Sequence, residues 1–368
     1  MKEKILFIGR FPPPVHGAAL VNENYFNSKI IRKLFDLDRV KIGCSEKIGE
    51  LGKFNKKRFL EIFSTMKNLI KKIIKFKPKL IYFEVAPTGL AFLRDSLYIL
   101  ICRLFHKKII FQLHARGIPE KTKNIFWRKY YKFIFKNSKM ILLSNLLYSE
   151  VKDIFEKQNI LILPNGIINN VSNEQINAMG KKRKDLQKKT LLFISNMVES
   201  KGALDTLKIC NELNKKEKNF ECLFVGPWQE KKFEKKWRNL LKEYKLEKKC
   251  KYLGPKYGEE KEKILEKADF LIFPTKYPNE SFPLVILEAF MHGIPVFSYN
   301  HGAIKEMISR DFLGFVSNKK DWRKLAEELN KGILKNQKNN EIRKHFNKFY
   351  DLKIAEENLK KIFEKELK

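Results

Sequence analysis

The first half of the chain shows two patterns of apolar positions, a helical spacing of three to four residues and short, nearly continuous apolar runs. Residues 59–76 carry apolar side chains at every third or fourth position, which predicts an amphipathic helix that ends before Pro78. Another helix is predicted from about Ala18. Nearly continuous apolar runs between such segments predict strands at 4–10, 79–85, 108–114, 139–145 and 159–166. Strands of this kind, separated by helices, indicate a parallel sheet that is covered on both faces.

The same pattern restarts in the second half of the chain. Strands are predicted at 190–195, 221–226, 250–254, 269–274 and 295–300. The lysine-rich segment 320–368 predicts two or three terminal helices, and the polar segment 169–189 is interpreted as the connection between domains. The predicted fold class is α/β, with two doubly wound Rossmann-like domains at 1–168 and 189–349. The length of 368 residues also favours two domains.

The charge balance limits the classes of partner. Lys and Arg number 76 against 42 Asp and Glu, a formal net charge of +34. Such a surface favours nucleic acids, anionic membranes or phosphorylated substrates. Motifs of nucleic-acid-binding modules are absent from the sequence, so the predicted partners do not include nucleic acid.

Cysteine spacing and the apolar segments indicate a cytoplasmic protein. The cysteines are scattered, without a CxxC pair, which is typical of reduced thiols: Cys44, Cys102, Cys210, Cys222 and Cys250. The first eleven residues are too short and too interrupted for a signal peptide. The most apolar helical segment, 89–105, contains Arg94, Asp95 and Arg103, so we interpret it as a buried crossover helix and not as a membrane span.

Candidate binding residues of the first half follow the predicted strands, because ligands of parallel α/β sheets bind at the carboxyl ends of strands. The loop "RFPPPVHGAAL" places His16 and Gly17 at the start of a helix, which suits a phosphate or a sugar. A plain rigid turn is the alternative. His114 and Arg116 follow the strand 108–114, where a structural histidine is the alternative to a substrate contact. The "PNG" at 164–166 offers Asn165 but equally a simple turn.

The second half offers a lysine and two glutamates in the corresponding loops. Asn196 and Lys201 follow the strand 190–195, and Gly226 follows the strand 221–226. A lysine in such a loop suits a diphosphate. Glu280 and Glu288 lie eight residues apart around an apolar run, and a carboxylate that accepts two hydroxyl groups suits a ribose diol. The alternative is that Glu280 caps the following helix and Glu288 pairs with a basic neighbour.

Two segments together identify a family resemblance. With "SNMVESKG" at 195–202 and "ESFPLVILEA" at 280–289, the chain resembles the retaining glycosyltransferases of family 4, the group 1 nucleotide-sugar transferases. Glu280 and Glu288 match the E-x7-E motif of that family. The resemblance implies the GT-B fold, in which two Rossmann-like domains face a central cleft. It also implies that the last helix, about 350–368, packs back on the N-terminal domain.

The resemblance implies roles for the candidate residues. Glu288 would hold the ribose hydroxyls, Glu280 the donor sugar, and Lys201 the diphosphate, while His114 would lie near the reacting centre. The further donor-binding residues would be Asn196, Gly226, Ser281, Phe282, Pro283 and Leu284. The acceptor or phosphate loop would comprise His16, Gly17 and Arg116.

The implied activity is transfer of a hexose-type sugar from a UDP- or GDP-linked donor, with retention of configuration. The implied acceptor is a glycan or a polyprenyl-linked glycan of bacterial surface polysaccharide synthesis. We expect no metal and no cofactor beyond the nucleotide sugar, and we discount the "DLD" string at 36–38 because it lies outside any predicted strand end. One departure is Asn196, where the family often has arginine; Lys256 is a candidate substitute for that charge.

Two basic segments predict peripheral contact with the anionic inner face of the plasma membrane. Lysines crowd 53–79, around the predicted helix at 59–76, and 121–139 forms a second basic, aromatic-rich helical segment. The alternative is that the apolar stripes pack on the sheet and the lysines are simply solvated. Three rival classes remain: a nucleic-acid- or membrane-binding protein without transferase activity, a sugar-nucleotide epimerase on the same fold, and an inactive transferase homologue.

Overall fold

The computed structural model describes residues 2–14, 16–43, 56–185, 188–333 and 338–368. The chain divides into two compact units, Met1–Gly166 together with Leu352–Lys368, and Ile167–Asp351. Each unit is built around one parallel six-stranded sheet. The predicted architecture of two doubly wound α/β domains is confirmed.

The sheet of the first unit has the order β2-β1-β3-β4-β5-β6, and every pair is parallel. Its strands are β1 (Glu3–Gly9), β2 (Phe35–Lys41), β3 (Leu80–Val85), β4 (Lys108–Leu113), β5 (Lys139–Leu142) and β6 (Ile160–Ile162). Its helices are α1 (Gly17–Asn27), α2 (Lys29–Leu34), α3 (Lys56–Phe76), α4 (Gly89–Leu104), α5 (Ile118–Thr122) and α6 (Ile125–Ile134). The central strands β1, β3 and β4 are almost wholly buried, as their uniform apolar sequences predict.

The sheet of the second unit has the order β12-β11-β10-β7-β8-β9 and is also parallel. Its strands are β7 (Lys189–Ile194), β8 (Phe220–Val225), β9 (Cys250–Tyr252), β10 (Phe270–Phe273), β11 (Val296–Tyr299) and β12 (Gly314–Ser317). Its first helices are α7 (Asn173–Asp185), α8 (Ala203–Lys215), α9 (Lys231–Glu243) and α10 (Gly258–Lys267). They are followed by α11 (Leu284–Met291), α12 (Ile304–Met307), α13 (Trp322–Ile333) and α14 (Asn339–Phe349). One side of this sheet packs on a core that includes Phe193, Phe224 and Trp237.

The last helix, α15 (Leu352–Leu367), belongs to the first unit. The ring of Phe363 meets the rings of Phe7 and Tyr82 edge-on at 5.9 Å between centroids. The buried carboxylate of Glu366 is paired with Lys139 at 2.5 Å. Apolar packing and this ion pair therefore fix the C-terminal helix on the first sheet.

Four sequence predictions need correction. Strands β2 and β12 were not predicted. The segment 169–189, which we assigned to the connection, contains α7, and this helix belongs to the second unit. Its turns bury Ile176 although most of its side chains are polar. The single helix expected within 121–139 is two helices, because Asn124 caps a new one by accepting the amide of Phe126 at 2.9 Å.

Two further predictions concern cysteines and membrane spans. Cys102, Cys210, Cys222 and Cys250 are buried and unpaired, whereas Cys44 lies outside the described residues. Among the helices that the structure describes, none is both long and apolar enough to cross a bilayer.

Candidate functional site

The strand order of the second sheet creates a natural binding position. The chain turns from β7 to β8 in one direction, but β10 lies on the other side of β7. At such a topological switch point the loops after neighbouring strands diverge and leave room for a ligand at the carboxyl edge. Here these are the loops that follow β7 and β10.

A glycine brings the two loops into contact. The loop after β7 ends in a short 3-10 turn, Glu199–Lys201, followed by Gly202 with a φ of 95°. A Cβ atom on Gly202 would lie 2.3 Å from the carbonyl oxygen of Pro274, so only glycine allows this approach. The amide of Lys276 donates to the carbonyl of Ser200 at 2.7 Å and holds the contact. Lys201 is thereby placed beside the chain that follows β10.

Lys201 and Glu280 form an ion pair at this position. The ammonium nitrogen of Lys201 lies 2.5 Å from Oε2 of Glu280, and the two side chains are 16% and 12% exposed. Thr275 donates to the same oxygen at 3.4 Å, and the ammonium group lies 4.4 Å from the ring centre of Tyr277. Oε1 of Glu280 accepts no hydrogen bond from the residues that the structure describes. The pair thus combines a half-enclosed cation with a carboxylate oxygen that can still accept a hydroxyl group.

The segment between Glu280 and helix α11 is held by the loop after β11. A Cβ atom on Gly302 would lie 2.6 Å from the carbonyl oxygens of Glu280 and Ser281, and the amide of Ala303 donates to Ser281 at 2.8 Å. Ser281, Phe282 and Pro283 are buried, and Leu284 is half-buried as the first residue of α11. Pro283 offers no side-chain cap. Among the described residues, the first-turn amides of α11 therefore have no side-chain acceptor, which suits them to bind an anion.

Glu288 is also paired with a lysine. Oε1 of Glu288 lies 2.7 Å from the ammonium nitrogen of Lys261 on α10, and the side chains are 20% and 24% exposed. The next residue on α10, Glu262, lies 3.0 Å from the buried ring of His292, just beyond α11. The basic neighbour expected as the alternative for Glu288 is therefore present. The helix cap considered for Glu280 is not observed, since its carboxylate contacts Lys201 instead.

The other predicted donor-binding residues lie at the same edge. Gly226 directly follows β8 with a φ of 140°, and a Cβ atom there would lie 1.8 Å from the carbonyl oxygen of Ser195. Its glycine identity is therefore required by the backbone itself. Asn196 is exposed in the loop after β7. Lys256, the candidate for the missing arginine charge, is paired with Glu260 at 2.6 Å.

Sequence reasoning missed a second cation beside Lys201. Lys276 lies 2.5 Å from Asp205 on α8, and Tyr299 donates to the same carboxylate at 2.9 Å. Burial and the nearby Asp205 raise the pKa of Tyr299. The available signal was the position of Lys276 after β10, four residues before Glu280.

The first unit has its own polar cluster at the switch point between β1 and β3, and sequence reasoning missed its centre. Glu84 is buried in β3, where its carboxylate accepts hydrogen bonds from the guanidinium group and the amide of Arg10 and from Asn22. Burial alone would raise the pKa of Glu84, but the charges of Arg10 and His114 and the hydrogen bonds from Arg10 together lower it. An acid inside the apolar run "LIYFEV" was the signal, because a buried carboxylate requires a partner.

His114 lies at the same edge of the first sheet, directly after β4. Burial lowers the pKa of His114 to about 4, against a weaker opposing effect of Glu84. The imidazole is therefore neutral at neutral pH. Its Nε2 atom is buried and has no hydrogen-bond partner among the described residues. This unsatisfied atom favours a substrate contact over a structural histidine.

The remaining predicted residues of the first unit have structural partners. Nδ1 of His16 accepts the amide of Ala19 at 3.2 Å and caps α1, of which Gly17 is the first residue. Burial lowers the pKa of His16. Arg116 is paired at 2.8 Å with Glu150, which is buried. These contacts give His16 and Arg116 structural partners, and their contacts with an acceptor or a phosphate stay predictions.

The "DLD" aspartates lie in the first half of β2, a strand that was not predicted, and not at its carboxyl end. Asp38 forms an ion pair with Lys72 on α3. Within the described part of the chain, no group of three or more His, Cys, Asp or Glu side chains is arranged to hold a metal ion.

A comparison with protein families shows which known proteins the second unit resembles. Residues 174–349, which include the switch point with Lys201, Glu280 and Glu288, match the family profile described as "Glycosyl transferases group 1". The second unit is therefore similar to the group 1 glycosyl transferases. The predicted family resemblance is confirmed, and the match covers the segment in which the two quoted motifs lie.

Curated relatives match a shorter stretch. The putative colanic acid biosynthesis glycosyltransferase WcaL of Escherichia coli (strain K12) is 29% identical over 145 residues, which cover 38% of this chain and 34% of that protein. The aligned part thus spans about a third of the length of the relative.

Solved structures match over the whole chain. A glycosyltransferase from Rickettsia africae ESF-5 superimposes with a TM-score of 0.76 at 18% identity, covering 100% of this chain and 99% of that one. Anabaena Alr3699/HepE in complex with UDP gives a TM-score of 0.75 at 16% identity, covering 98% and 100%. At these identities the likeness concerns the fold, and the predicted GT-B fold is confirmed. The ligand-binding roles of the individual residues remain predictions.

Proposed function

We propose that the protein transfers a hexose-type sugar from a UDP- or GDP-linked donor to a glycan or lipid-linked glycan acceptor, with retention of configuration, as the family 4 resemblance implies. The bacterial setting is synthesis of a surface polysaccharide, which agrees with the name of the relative, the putative colanic acid biosynthesis glycosyltransferase WcaL. The nucleotide sugar is the only small-molecule partner that the proposal requires.

The observation that carries the proposal is the Lys201–Glu280 pair. It lies at the switch point of the second sheet, inside the segment that matches the transferase family. An ammonium group and the first amides of α11 are suited to a diphosphate. Oε1 of Glu280, which accepts no hydrogen bond from the described residues, and the carboxylate of Glu288 are suited to hydroxyl groups of the sugar and the ribose.

The proposed chemistry follows from these charges. The bond between the anomeric carbon and the phosphate oxygen breaks, and the electron pair stays on the leaving nucleoside diphosphate. Lys201 and the amides of α11 stabilise that charge as it develops. The acceptor hydroxyl attacks the same face of the sugar, and its proton passes to the departing phosphate oxygen. This same-face course is implied by the family resemblance.

Glu280 keeps Lys201 in place before the donor binds. The ion pair holds the ammonium group in one position, and Thr275 and the ring of Tyr277 flank it. When the diphosphate arrives, the ammonium group can contact both anions, since it has three donor hydrogens. The site is therefore electrostatically prepared without rearrangement of the backbone.

A nucleotide screen tests the proposal. UDP and GDP should raise the melting temperature of the full-length protein, because a ligand that binds only the folded state stabilises it. The preferred nucleotide should protect less in a Lys201→Met variant and equally well in a Lys232→Met control, whose lysine lies exposed on α9. No shift with any nucleoside diphosphate, or equal shifts in all three proteins, would contradict the assigned site.

Product release gives a second readout. Slow release of nucleoside diphosphate from the preferred nucleotide sugar should depend on Lys201 and Glu288. An inactive homologue would bind the nucleotide but release none. An epimerase would convert the donor to its stereoisomer before any release, which separates that rival by product analysis.

A further inference from the structure

One helical layer of the first unit exposes many large apolar side chains. We propose that the outer surface of α3, α4 and α6, hereafter the α3–α4–α6 face, docks onto an anionic lipid bilayer. The proposal concerns a partner other than the nucleotide sugar and does not depend on transferase activity.

Helix α4 supplies an apolar stripe. Leu90, Leu93, Leu97 and Leu104 are all exposed, Leu104 by 77%. Their spacings of three, seven and fourteen residues from Leu90 place them on one side of the helix. The sequence had indicated a buried crossover helix, and this is wrong for the leucine side, although the opposite side packs on the core. Four exposed leucines in line need an explanation in the way that single exposed ones do not.

The helices on either side of α4 repeat the pattern. On α6, Ile125, Phe126 and Phe133 are exposed, Phe126 by 79%. Large exposed apolar residues on α3 are Phe59, Leu60, Phe63 and Ile74. Packing of the apolar stripes on the sheet was the alternative to membrane contact, and the stripes also have an outward-facing part.

The three helices form one layer. Helix α4 contacts both α3 and α6. The ring of Phe92 on α4 stacks on Tyr131 of α6 at 4.2 Å between centroids. Arg103, near the end of α4, donates to the carbonyl of Phe133 at 2.8 Å. The exposed side chains of neighbouring helices thus belong to one surface.

The positive charge of the α3–α4–α6 face indicates the chemistry of its partner. The exposed lysines of this face are Lys67, Lys71 and Lys75 on α3 and Lys129, Lys132 and Lys136 beside or on α6. None of them is paired with an acid among the described residues. The acids of the three helices are Glu61 and Asp95, and Asp95 is buried against Arg94. An apolar stripe flanked by unpaired lysines fits the headgroup region of an anionic membrane.

The same charges disfavour other occupants. A second copy of the chain would place lysines against lysines across a two-fold interface. A nucleic acid would satisfy the lysines but would leave the leucines in contact with phosphates. A bilayer satisfies both, because acyl chains take up the leucines and anionic headgroups take up the lysines.

Vesicle co-sedimentation of the full-length protein tests the proposal. We expect pelleting with phosphatidylcholine vesicles that contain about 30% phosphatidylglycerol, little with phosphatidylcholine alone, and a loss of binding as salt rises. A Leu93→Ser/Leu97→Ser/Phe126→Ser variant should lower the partition coefficient at least tenfold. A Lys129→Glu/Lys132→Glu variant should do the same.

The matched control is Lys232→Glu/Lys235→Glu on α9, which makes the same change in net charge on exposed lysines of the second unit. It should bind within about twofold of the unchanged protein, since it leaves the docking surface intact. All variants should keep the melting temperature and the nucleotide response, so that failure here is distinct from failure of the proposed function.

Three results would overturn the proposal. One is equal pelleting, or none, with neutral and anionic vesicles. Another is a control variant that loses as much binding as the Lys129→Glu/Lys132→Glu variant, which would indicate a response to net charge alone. The last is a concentration-dependent dimer that the leucine variant abolishes, which would assign the face to a second copy.

Discussion

Exchange of Glu288 for glutamine tests the proposed ribose contact with little change in shape. Glu288→Gln replaces one carboxylate oxygen by an amide group and removes the charge. Lys261 occupies Oε1 at 2.7 Å in the structure. A carboxylate has about four acceptor positions, so the ribose diol can bind to the remaining ones while Lys261 stays in place.

The expected magnitudes separate binding from stability. A partly exposed ion pair contributes about 1 kcal/mol or less, so the free energy of unfolding should fall only slightly. A hydrogen bond to a charged group contributes roughly 1.5–3 kcal/mol. Loss of one such bond to the diol should raise the Kd for the preferred nucleoside diphosphate about tenfold to a hundredfold.

Calorimetric titration with the ribo- and 2′-deoxynucleotide completes the experiment. If Glu288 holds the 2′-hydroxyl, removal of that hydroxyl should weaken binding to the unchanged protein strongly and to the Glu288→Gln variant only slightly, because the two changes remove the same interaction. The reasoning is refuted if both proteins lose the same affinity, or if Glu288→Gln leaves the Kd unchanged.

Three further predictions follow from individual contacts. Lys201→Met should weaken nucleoside diphosphate binding at least tenfold, and Lys201→Arg should restore most of it, as measured by calorimetry. Gly226→Ala should lower the free energy of unfolding by about 3 kcal/mol or more, because its Cβ would lie 1.8 Å from a carbonyl oxygen. The control is Gly254→Ala, whose Cβ would lie in open space, so that it should lower the free energy of unfolding only by the strain of its φ of 73°. NMR titration should place the pKa of His114 near 4, below its ordinary value. Between pH 4 and 6.5 the unfolded chain then binds a proton at His114 more readily than the folded chain does. The free energy of unfolding is therefore unaffected by His114 above about pH 6.5 and decreases as the pH falls towards 4. A pKa of His114 above 6.5 would contradict the burial argument.

The sequence predicted central strands better than edge strands. Strands β3 and β10 are buried on both faces and were found from their apolar runs alone. Strand β2, "FDLDRVK", alternates buried and exposed positions at the edge of its sheet, and β12 has four residues at the edge of the other. An edge strand is less enclosed and so carries a weaker apolar signal.

Site residues were predictable where the loop after a strand carried them. Lys201 and Glu280 were found in this way, but their 2.5 Å contact joins positions 79 residues apart and needed the sheet order. Glu84 and Arg10 were missed although they are directly bonded, since 74 residues separate them. Contacts between residues so far apart in the sequence depend on the order of the strands in the sheet, and the sequence around either residue does not predict them.

The outward face of α4 was not predictable either. Apolar residues occupy both sides of the helix, with Phe92, Tyr98 and Ile99 buried and the leucines exposed, so the apolar pattern does not distinguish the core from the surface. Packing on the core and against α3 and α6 determines which apolar side chains of α4 remain exposed.

A crystal structure of the full-length protein with its preferred nucleoside diphosphate is the sharpest test of the proposed donor site. We expect the diphosphate within about 4 Å of the Lys201 ammonium nitrogen, at the start of α11, with the ribose hydroxyls on Glu288. A nucleotide bound away from both residues, with Lys201–Glu280 and Lys261–Glu288 unchanged, would contradict it.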